Sequence, residues 1–216
     1  MKRISLILSL CVTACTTAFG QIDTTAINRP INLLNSANQD IENGDYEEAV
    51  QKLIASIRLN PQIRDAYLSL NTACSYTDQI SILKSYLLKA KEIFREDDEI
   101  CYYLGNIFQK ENNFTKAIQA YTEAIKYAKQ NGEDYELVYA YYQNRGACYL
   151  KTNQFAKAIP DFDYAIKLNP SNGAAYTNRG IAHYQTGNRA KALEDWRKAA
   201  DLGISTALAY LKRYGR

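Results

Sequence analysis

Residues 139–172 read YAYYQNRGACYLKTNQFAKAIPDFDYAIKLNPSN, and a related stretch, GAAYTNRGIAHYQTGNRAKALEDWRKAADLGIST, follows directly at 173–206. When Gly146 is aligned with Gly180, the two stretches match at a spacing of 34 residues. The matched pairs are Tyr142/Tyr176, Asn144/Asn178, Arg145/Arg179, Ala158/Ala192, Phe162/Trp196 and Ala165/Ala199. This many matches in one register indicate a structural repeat.

The same register continues toward the N-terminus once residues 132–138 are treated as an insertion. The predicted units are 30–63, 64–97, 98–131, 139–172 and 173–206. Residues 1–20 are predicted as a signal peptide, 21–29 as a linker and 207–216 as the end of a capping helix. We place that helix at Ile204 to Tyr214, with Leu208 and Leu211 on the face that covers the last unit. One array fills the expected mature chain, with no room for a second domain.

Each unit is predicted to form two helices, with the turn between them at Asn or Gly residues that tolerate left-handed backbone. A glycine in a helix interior costs about 1 kcal/mol relative to alanine, so its recurrence calls for close helix contact as compensation. We expect each of these glycines to face a small alanine twelve residues later, and the large aromatic residues Phe162 and Trp196 to wedge between units. The expected pairs are Gly105/Ala117, Gly146/Ala158 and Gly180/Ala192.

This period and these residues resemble the tetratricopeptide repeat, a helix-turn-helix unit with an early aromatic residue, a glycine, small alanines and a late proline. The fourth unit matches best, with Tyr142, Gly146, Ala158, Phe162 and Pro170. The second unit departs from the pattern, because Asn71 and Leu83 replace small residues. The resemblance implies an all-α fold, an α-solenoid of five helix-turn-helix repeats with a C-terminal capping helix.

Composition narrows the function further. The chain has 216 residues, 47% of them apolar and 23% charged, which is typical of a folded protein. Its one histidine, His183, is expected to pack in the core. A chain with a single histidine cannot form most catalytic or zinc sites, which need a second histidine or a cysteine–histidine pair. Without Lys2 and Arg3, 24 basic residues stand against 23 acidic ones, so no nucleic-acid footprint is present. We predict no enzymatic activity, no catalytic residue, no cofactor and no metal.

The first twenty residues resemble an export signal. Lys2 and Arg3 precede an apolar run at 4–12, and the small residues before Gln21 suit a signal peptidase. A bacterial lipobox, in which Cys15 is acylated and becomes the first residue, stays open as an alternative. Either route predicts an exported protein, periplasmic or associated with the outer membrane of a Gram-negative bacterium, without a transmembrane helix.

Three cysteines remain outside the signal: Cys74, Cys101 and Cys148. Each lies in an apolar helical pattern, so we expect three buried free thiols, with a bridge between Cys74 and Cys101 as the alternative. Arg145 and Arg179 each have an aspartate sixteen residues later, and the other units lack both residues. This joint occurrence predicts ion pairs between helices, within or between neighbouring units.

The expected binding surface follows from the helical angle. The second, sixth, ninth and thirteenth places of a unit lie opposite the packing stripe of its first helix. In the resembled family this face lines a concave groove that holds extended peptides or a partner's helix. The candidate partner-binding residues at or beside these places are Tyr102, Tyr103, Asn106, Lys110, Asn144, Lys151, Asn178, Ile181 and Tyr184.

These observations predict an adaptor of the bacterial cell envelope that binds a protein or peptide. Lys110 and Lys151 are the only basic residues on the face, which argues against a clamp for a terminal carboxylate and favours an internal peptide or a folded partner. The alternative is a structural subunit of an outer-membrane assembly, with or without lipidation at Cys15, that uses its convex face or the insertion at 132–138.

Overall fold

The structure is a computed structural model that describes residues 24–132 and 135–215, so the predicted signal segment and Cys15 lie outside the described residues. Eleven α-helices and no strand are present in these ranges, which confirms the all-α, α-solenoid class. The chain divides between Thr77 and Asp78 into two compact parts, an N-terminal part and a C-terminal part, which are distinct from the repeat units. The first contains α1 (Thr24–Asn43), α2 (Tyr46–Leu59) and α3 (Arg64–Thr77). The second contains α4 (Ile80–Ile93), α5 (Asp98–Lys110), α6 (Phe114–Asn131), α7 (Tyr135–Lys151), α8 (Phe155–Leu168), α9 (Gly173–Gln185), α10 (Arg189–Asp201) and α11 (Ser205–Tyr214).

Within each of these two parts, every helix packs against the next helix along the chain. The turns follow the predicted chemistry: Asn112 and Asn153 adopt φ of 58° and 57°, and Gly187 adopts 82°. The residue after the turn then caps the next helix, as when the side chain of Asn113 accepts a hydrogen bond from the Lys116 amide. None of the described helices combines the length and apolarity that spanning a bilayer requires.

The repeated glycines accommodate aromatic rings, which corrects the expectation that they face alanines. A Cβ atom added to Gly105 would lie 2.5 Å from the Tyr121 ring, and one added to Gly180 would lie 2.5 Å from Nε1 of Trp196. At Gly146 the corresponding ring is Phe162, at 2.9 Å. The partner is therefore sixteen residues later, on the second helix of the same pair. Phe162 and Trp196 lie over the glycine of their own pair. Both rings also pack beyond that pair, as expected: Phe162 shares a core cluster with Cys101 and Ala175 of the neighbouring repeats, and Trp196 stacks on Tyr210 of α11 with centroids 5.0 Å apart.

The predicted boundaries differ from the helices at two places. Helix α1 begins at Thr24, within the expected linker, and the hydroxyl of Ser56 donates to the Pro30 carbonyl oxygen at 2.7 Å. This bond ties the start of α1 to the end of α2. The expected insertion at 132–138 is partly helical, because α7 begins at Tyr135 and Val138 is buried. Burial of an apolar residue gives that extra turn a reason to form.

All three described cysteines are free and buried, as predicted, and the alternative of a bridge between Cys74 and Cys101 is wrong. Burial raises the pKa of the Cys74 thiol to about 11 and that of the Cys148 thiol to about 12. It also raises the pKa of Cys101 to about 12. All three thiols are protonated at neutral pH and behave as small apolar residues.

The last helix, α11, covers the end of the C-terminal part, as predicted, with Leu211 but not Leu208 on its packing face. Ala207 is fully buried, and Tyr210, Leu211 and Tyr214 pack against the cluster around Trp196. These four residues follow helical spacing and form one stripe. Leu208 is 57% exposed and lies outside this stripe, so its expected contact was wrong.

Candidate functional site

The first helices of the last three repeat units are α5, α7 and α9, and they lie side by side in chain order within the C-terminal part. Each packs against its own second helix, which is α6, α8 or α10. We call the surface formed by the nine candidate residues on these three helices the first-helix face: Tyr102, Tyr103, Asn106, Lys110, Asn144, Lys151, Asn178, Ile181 and Tyr184. Every one of them is partly or fully exposed.

The sixth place of each unit contributes the centre of this face. It is occupied by Tyr103, Asn144 and Asn178 on adjacent helices, and all three side chains are partly exposed. Because the residues occupy equivalent places in the repeat, the stacking of helix pairs sets them in a row. The row offers an aromatic ring followed by two amides.

A hydrogen-bond network fixes one part of the face in advance. The Asn106 side-chain oxygen lies 2.7 Å from the Tyr121 hydroxyl and accepts from the Asn144 amide nitrogen at 3.0 Å. The Tyr121 hydroxyl lies equally close to the Gln109 side-chain oxygen, at 2.7 Å, and its single proton is donated to one of the two oxygens. The Asn106 oxygen is thus engaged by Asn144 and faces Tyr121, while the Asn106 NH2 group is left to donate to a partner.

Three of the candidate residues also take part in the packing between helices of the C-terminal part. The Tyr102 ring lies 4.7 Å from the Tyr141 ring, and the Tyr184 ring lies 4.5 Å from that of Tyr214, measured between centroids. Ile181 packs against the cluster around Trp196. These contacts come from aromatic residues on neighbouring helices, which the helical angle of a single helix does not reveal. Tyr102, Ile181 and Tyr184 therefore contribute part of their surface to the face.

The two lysines of the face lie at its edge. Lys110 is the last residue of α5, Lys151 is the last residue of α7, and both are exposed. A cation in the last turn of a helix also interacts favourably with the helix dipole. Their position at the helix ends is explained without a ligand.

The paired arginines are structural, as predicted. Arg145 donates to both oxygens of Asp161 at 2.9 and 2.7 Å, and Arg179 donates to both oxygens of Asp195 at 3.0 and 2.6 Å. Burial lowers the pKa of the Arg179 guanidinium, but its bonds to Asp195 and Asp163 outweigh that effect and raise it. The Arg179 guanidinium is therefore charged at neutral pH.

Each of these arginines also reaches the preceding helix pair, a contact that sequence reasoning missed. Arg145 donates to the Thr122 hydroxyl at 3.2 Å, and Arg179 donates to Asp163 at 2.7 Å. Thr122 and Asp163 occupy the same place in successive units, so the repeat register was the available signal. One side chain thereby joins both helices of its own pair to the previous pair.

His183 is 8% exposed, as expected of a packed core residue. Burial lowers its pKa, so the imidazole is neutral at pH 7. Within residues 24–132 and 135–215, no group of three or more His, Cys, Asp and Glu side chains is arranged to hold a metal ion.

Comparison with protein families matches the tetratricopeptide repeat at residues 98–131, 139–172 and 173–203. Among curated proteins, the chain is similar to the DnaJ homolog subfamily C member 7 homolog of Schizosaccharomyces pombe, with 39% identity over 67 residues, which is 31% of this chain and 13% of that protein. It is similar to Hsp70-Hsp90 organizing protein 3 of Arabidopsis thaliana, with 36% identity over 73 residues, or 34% of this chain and 12% of that protein. It also resembles the UDP-N-acetylglucosamine--peptide N-acetylglucosaminyltransferase of Giardia intestinalis, with 34% identity over 90 residues, or 42% of this chain and 6% of the transferase. The chain thus spans at most 13% of the length of these relatives.

Two solved structures have the same fold. MamA superposes with a TM-score of 0.71 and 19% identity, covering 87% of this chain and 96% of MamA. YrrB, described as a TPR protein with an unusual peptide-binding site, superposes with a TM-score of 0.71 and 21% identity, covering 88% of this chain and 96% of YrrB. At these identities the likeness concerns the fold alone.

The stacked helix pairs define a helical repeat protein. The three matched segments identify the repeat, and the chain belongs to the tetratricopeptide repeat family. The presence of these repeats supports a function as a protein–protein interaction adaptor.

The Arg179 ion pairs generate a stability prediction. Replacing Arg179 with alanine leaves the Asp195 carboxylate, which is 5% exposed, buried without its partner. We expect a loss of about 2–4 kcal/mol in the free energy of unfolding, at or below the usual cost for a buried pair because Arg179 is partly exposed. Urea titration measures this, with the exposed Arg197→Ala as the control that loses under about 0.5 kcal/mol. Equal stability of both variants would contradict a structural function of the pair.

Proposed function

We propose that this protein is an exported, non-enzymatic adaptor of the bacterial cell envelope that binds a peptide or a partner's helix on its first-helix face. The observation that carries the proposal is the row of Tyr103, Asn144 and Asn178, partly exposed at one repeat place on three adjacent helices. Such a row has the spacing of the repeat, and it supplies contact points along an extended surface.

The chemistry of the row suits a polypeptide partner. The NH2 group of Asn106 donates, and the side-chain oxygen of Asn144 can accept, because the Asn144 nitrogen already donates to Asn106. Together they match one C=O and one N–H of a peptide backbone. The Tyr103 ring adds apolar area with a polar tip, a combination that is common in recognition surfaces. The small, partly exposed Ala147 leaves space between these groups.

Family membership supports the absence of catalysis in this proposal. The match to the Giardia transferase lies in 42% of this chain and only 6% of the transferase, so it transfers no activity. The proposed location in the cell envelope is based on the sequence alone. The basic start at Lys2 and Arg3, the apolar run at 4–12 and the small residues before Gln21 support export, and the residues before Cys15 support lipidation as the alternative.

Export predicts a defined mature N-terminus. We expect the protein recovered from the envelope of an expressing Gram-negative host to begin at an unmodified Gln21, because signal peptidase reads small residues before its cleavage site. Intact-mass measurement tests this. A chain that begins at diacylated Cys15 would replace the soluble form with a membrane-anchored one, and an intact Met1 would contradict export.

The binding face predicts loss of partner capture without loss of fold. We expect the triple variant Tyr103→Ala, Asn144→Ala and Asn178→Ala to lose a protein that co-purifies with the unmodified chain from detergent-solubilised envelope. Affinity capture followed by mass spectrometry measures this, and circular dichroism verifies helicity. The matched control replaces exposed residues of the second helices, Gln119→Ala, Lys157→Ala and Glu194→Ala, and should retain the partner.

The opposite pattern would contradict the proposed face. If the triple variant retains the partner and the control loses it, recognition lies on the second helices, and the structural-subunit alternative is favoured. Hydrolase activity of the purified protein that disappears in the triple variant would contradict its non-enzymatic function.

A further inference from the structure

Negative charge is concentrated in the turn that joins α1 to α2. Residues 42–48 read ENGDYEE and contain four carboxylates and no basic residue. We call these four residues the acidic turn: Glu42, Asp45, Glu47 and Glu48. All four are exposed, and none forms an ion pair within the described ranges 24–132 and 135–215. Their charges are therefore available to an external cation.

Two stacked tyrosines accompany the acidic turn. The rings of Tyr46 and Tyr76 lie parallel, with centroids 4.2 Å apart and planes 7° apart. Tyr46 belongs to the turn sequence itself, and Tyr76 is 66% exposed. The negative face of an aromatic ring attracts ammonium and guanidinium groups. This second observation points to the same class of ligand as the carboxylates, a cationic side chain.

Positive charge is concentrated at one end of the last two helices. Arg189 donates to the carbonyl oxygen of Tyr214 at 2.6 Å, so the start of α10 lies against the end of α11. We call four exposed residues the basic end: Arg189, Lys191, Lys212 and Arg213. Lys212 and Arg213 are adjacent in the C-terminal sequence, and folding brings Arg189 and Lys191 to the same end.

The outer surface of α11 extends the basic end with apolar area. Leu208, which is 57% exposed, lies one helical turn before Lys212. Exposed apolar area next to cations suits a surface that carries both carboxylates and aromatic rings. The acidic turn with Tyr46 and Tyr76 is such a surface, and it belongs to the same chain.

We propose that the basic end of one molecule docks on the acidic turn and tyrosine stack of a second copy. The contact joins two different surfaces, so it is head-to-tail and gives a ring or an open chain of copies. The mature chain, with 24 basic and 23 acidic residues, is nearly neutral, so long-range repulsion between copies does not oppose it. Complementary local charges on a nearly neutral chain favour oriented association.

Sedimentation velocity of the purified protein, expressed from the full sequence so that processing takes place, tests the proposal. In about 0.02 M salt the weight-average mass should rise with protein concentration. In about 0.5 M salt it should return to that of the monomer, because screening shortens the reach of surface charges from about 20 Å to about 4 Å.

Charge reversal at either surface identifies the contact. We expect Glu47→Lys with Glu48→Lys, and separately Lys212→Glu with Arg213→Glu, to weaken association at least about tenfold. A mixture of the two variants should associate again, because each reversed surface then meets a complementary one. The control Lys126→Glu with Lys167→Glu, at exposed places on α6 and α8, changes the net charge as the Lys212 and Arg213 reversal does, and should associate like the unmodified protein.

Three results would overturn the proposal: a protein that is monomeric at every concentration in low salt, association that survives both reversals, or a mixture of variants that stays monomeric. The first result would leave the basic end to a different anionic partner. None of these substitutions lies on the first-helix face, so failure here leaves the proposed function untouched.

Discussion

The contact between a helical glycine and an aromatic ring sixteen residues later determines how each matched helix pair is built. In three successive pairs the ring of Tyr121, Phe162 or Trp196 occupies the space that a Cβ atom would need. The glycine loses helix propensity, and the buried ring compensates through a large apolar contact at close range. Because the second helix is fixed against the first by this contact, the bonds of Arg145 to Asp161 and of Arg179 to Asp195 fall at the same spacing of sixteen residues.

The ion pairs illustrate this dependence. Asp161 and Asp195 directly precede Phe162 and Trp196, and their partners Arg145 and Arg179 directly precede Gly146 and Gly180. A polar pair sixteen residues apart therefore lies beside two of the three aromatic contacts, whereas the apolar Leu104 and Ala120 take these places beside Gly105 and Tyr121. The first unit uses the same geometry with other residues, because Lys52 donates to the Ser36 hydroxyl at 3.0 Å. Arginine then extends the bond to the preceding pair, so one register produces both the helix pairs and their stacking.

Much of this fold could be predicted from the sequence, because a period of 34 residues repeats the same packing problem. The turns, the buried cysteines and the packed His183 follow from the pattern within one unit, and the ion pairs of Arg145 and Arg179 follow from the comparison of units. Contacts between units were harder to predict. The bond from Asn144 to Asn106, the packing of Tyr184 against Tyr214 and the exposure of Leu208 depend on side chains of neighbouring helices, whose distances the sequence does not contain. For the same reason the candidate face was predicted as a set of positions, while its donor and acceptor pattern required the structure.

The central claim is tested most directly at Gly180 by a double-mutant cycle with Trp196→Phe, followed by circular dichroism in urea. At an unconstrained helix position Gly→Ala stabilises by about 1 kcal/mol. Here Gly180→Ala should destabilise by about 1–3 kcal/mol, because its Cβ would lie 2.5 Å from the indole of Trp196. The cost should fall in the Trp196→Phe background, since the smaller Phe162 ring at the equivalent place would lie further, at 2.9 Å, from a Cβ atom added to Gly146. Stabilisation by Gly180→Ala in both backgrounds would contradict the account.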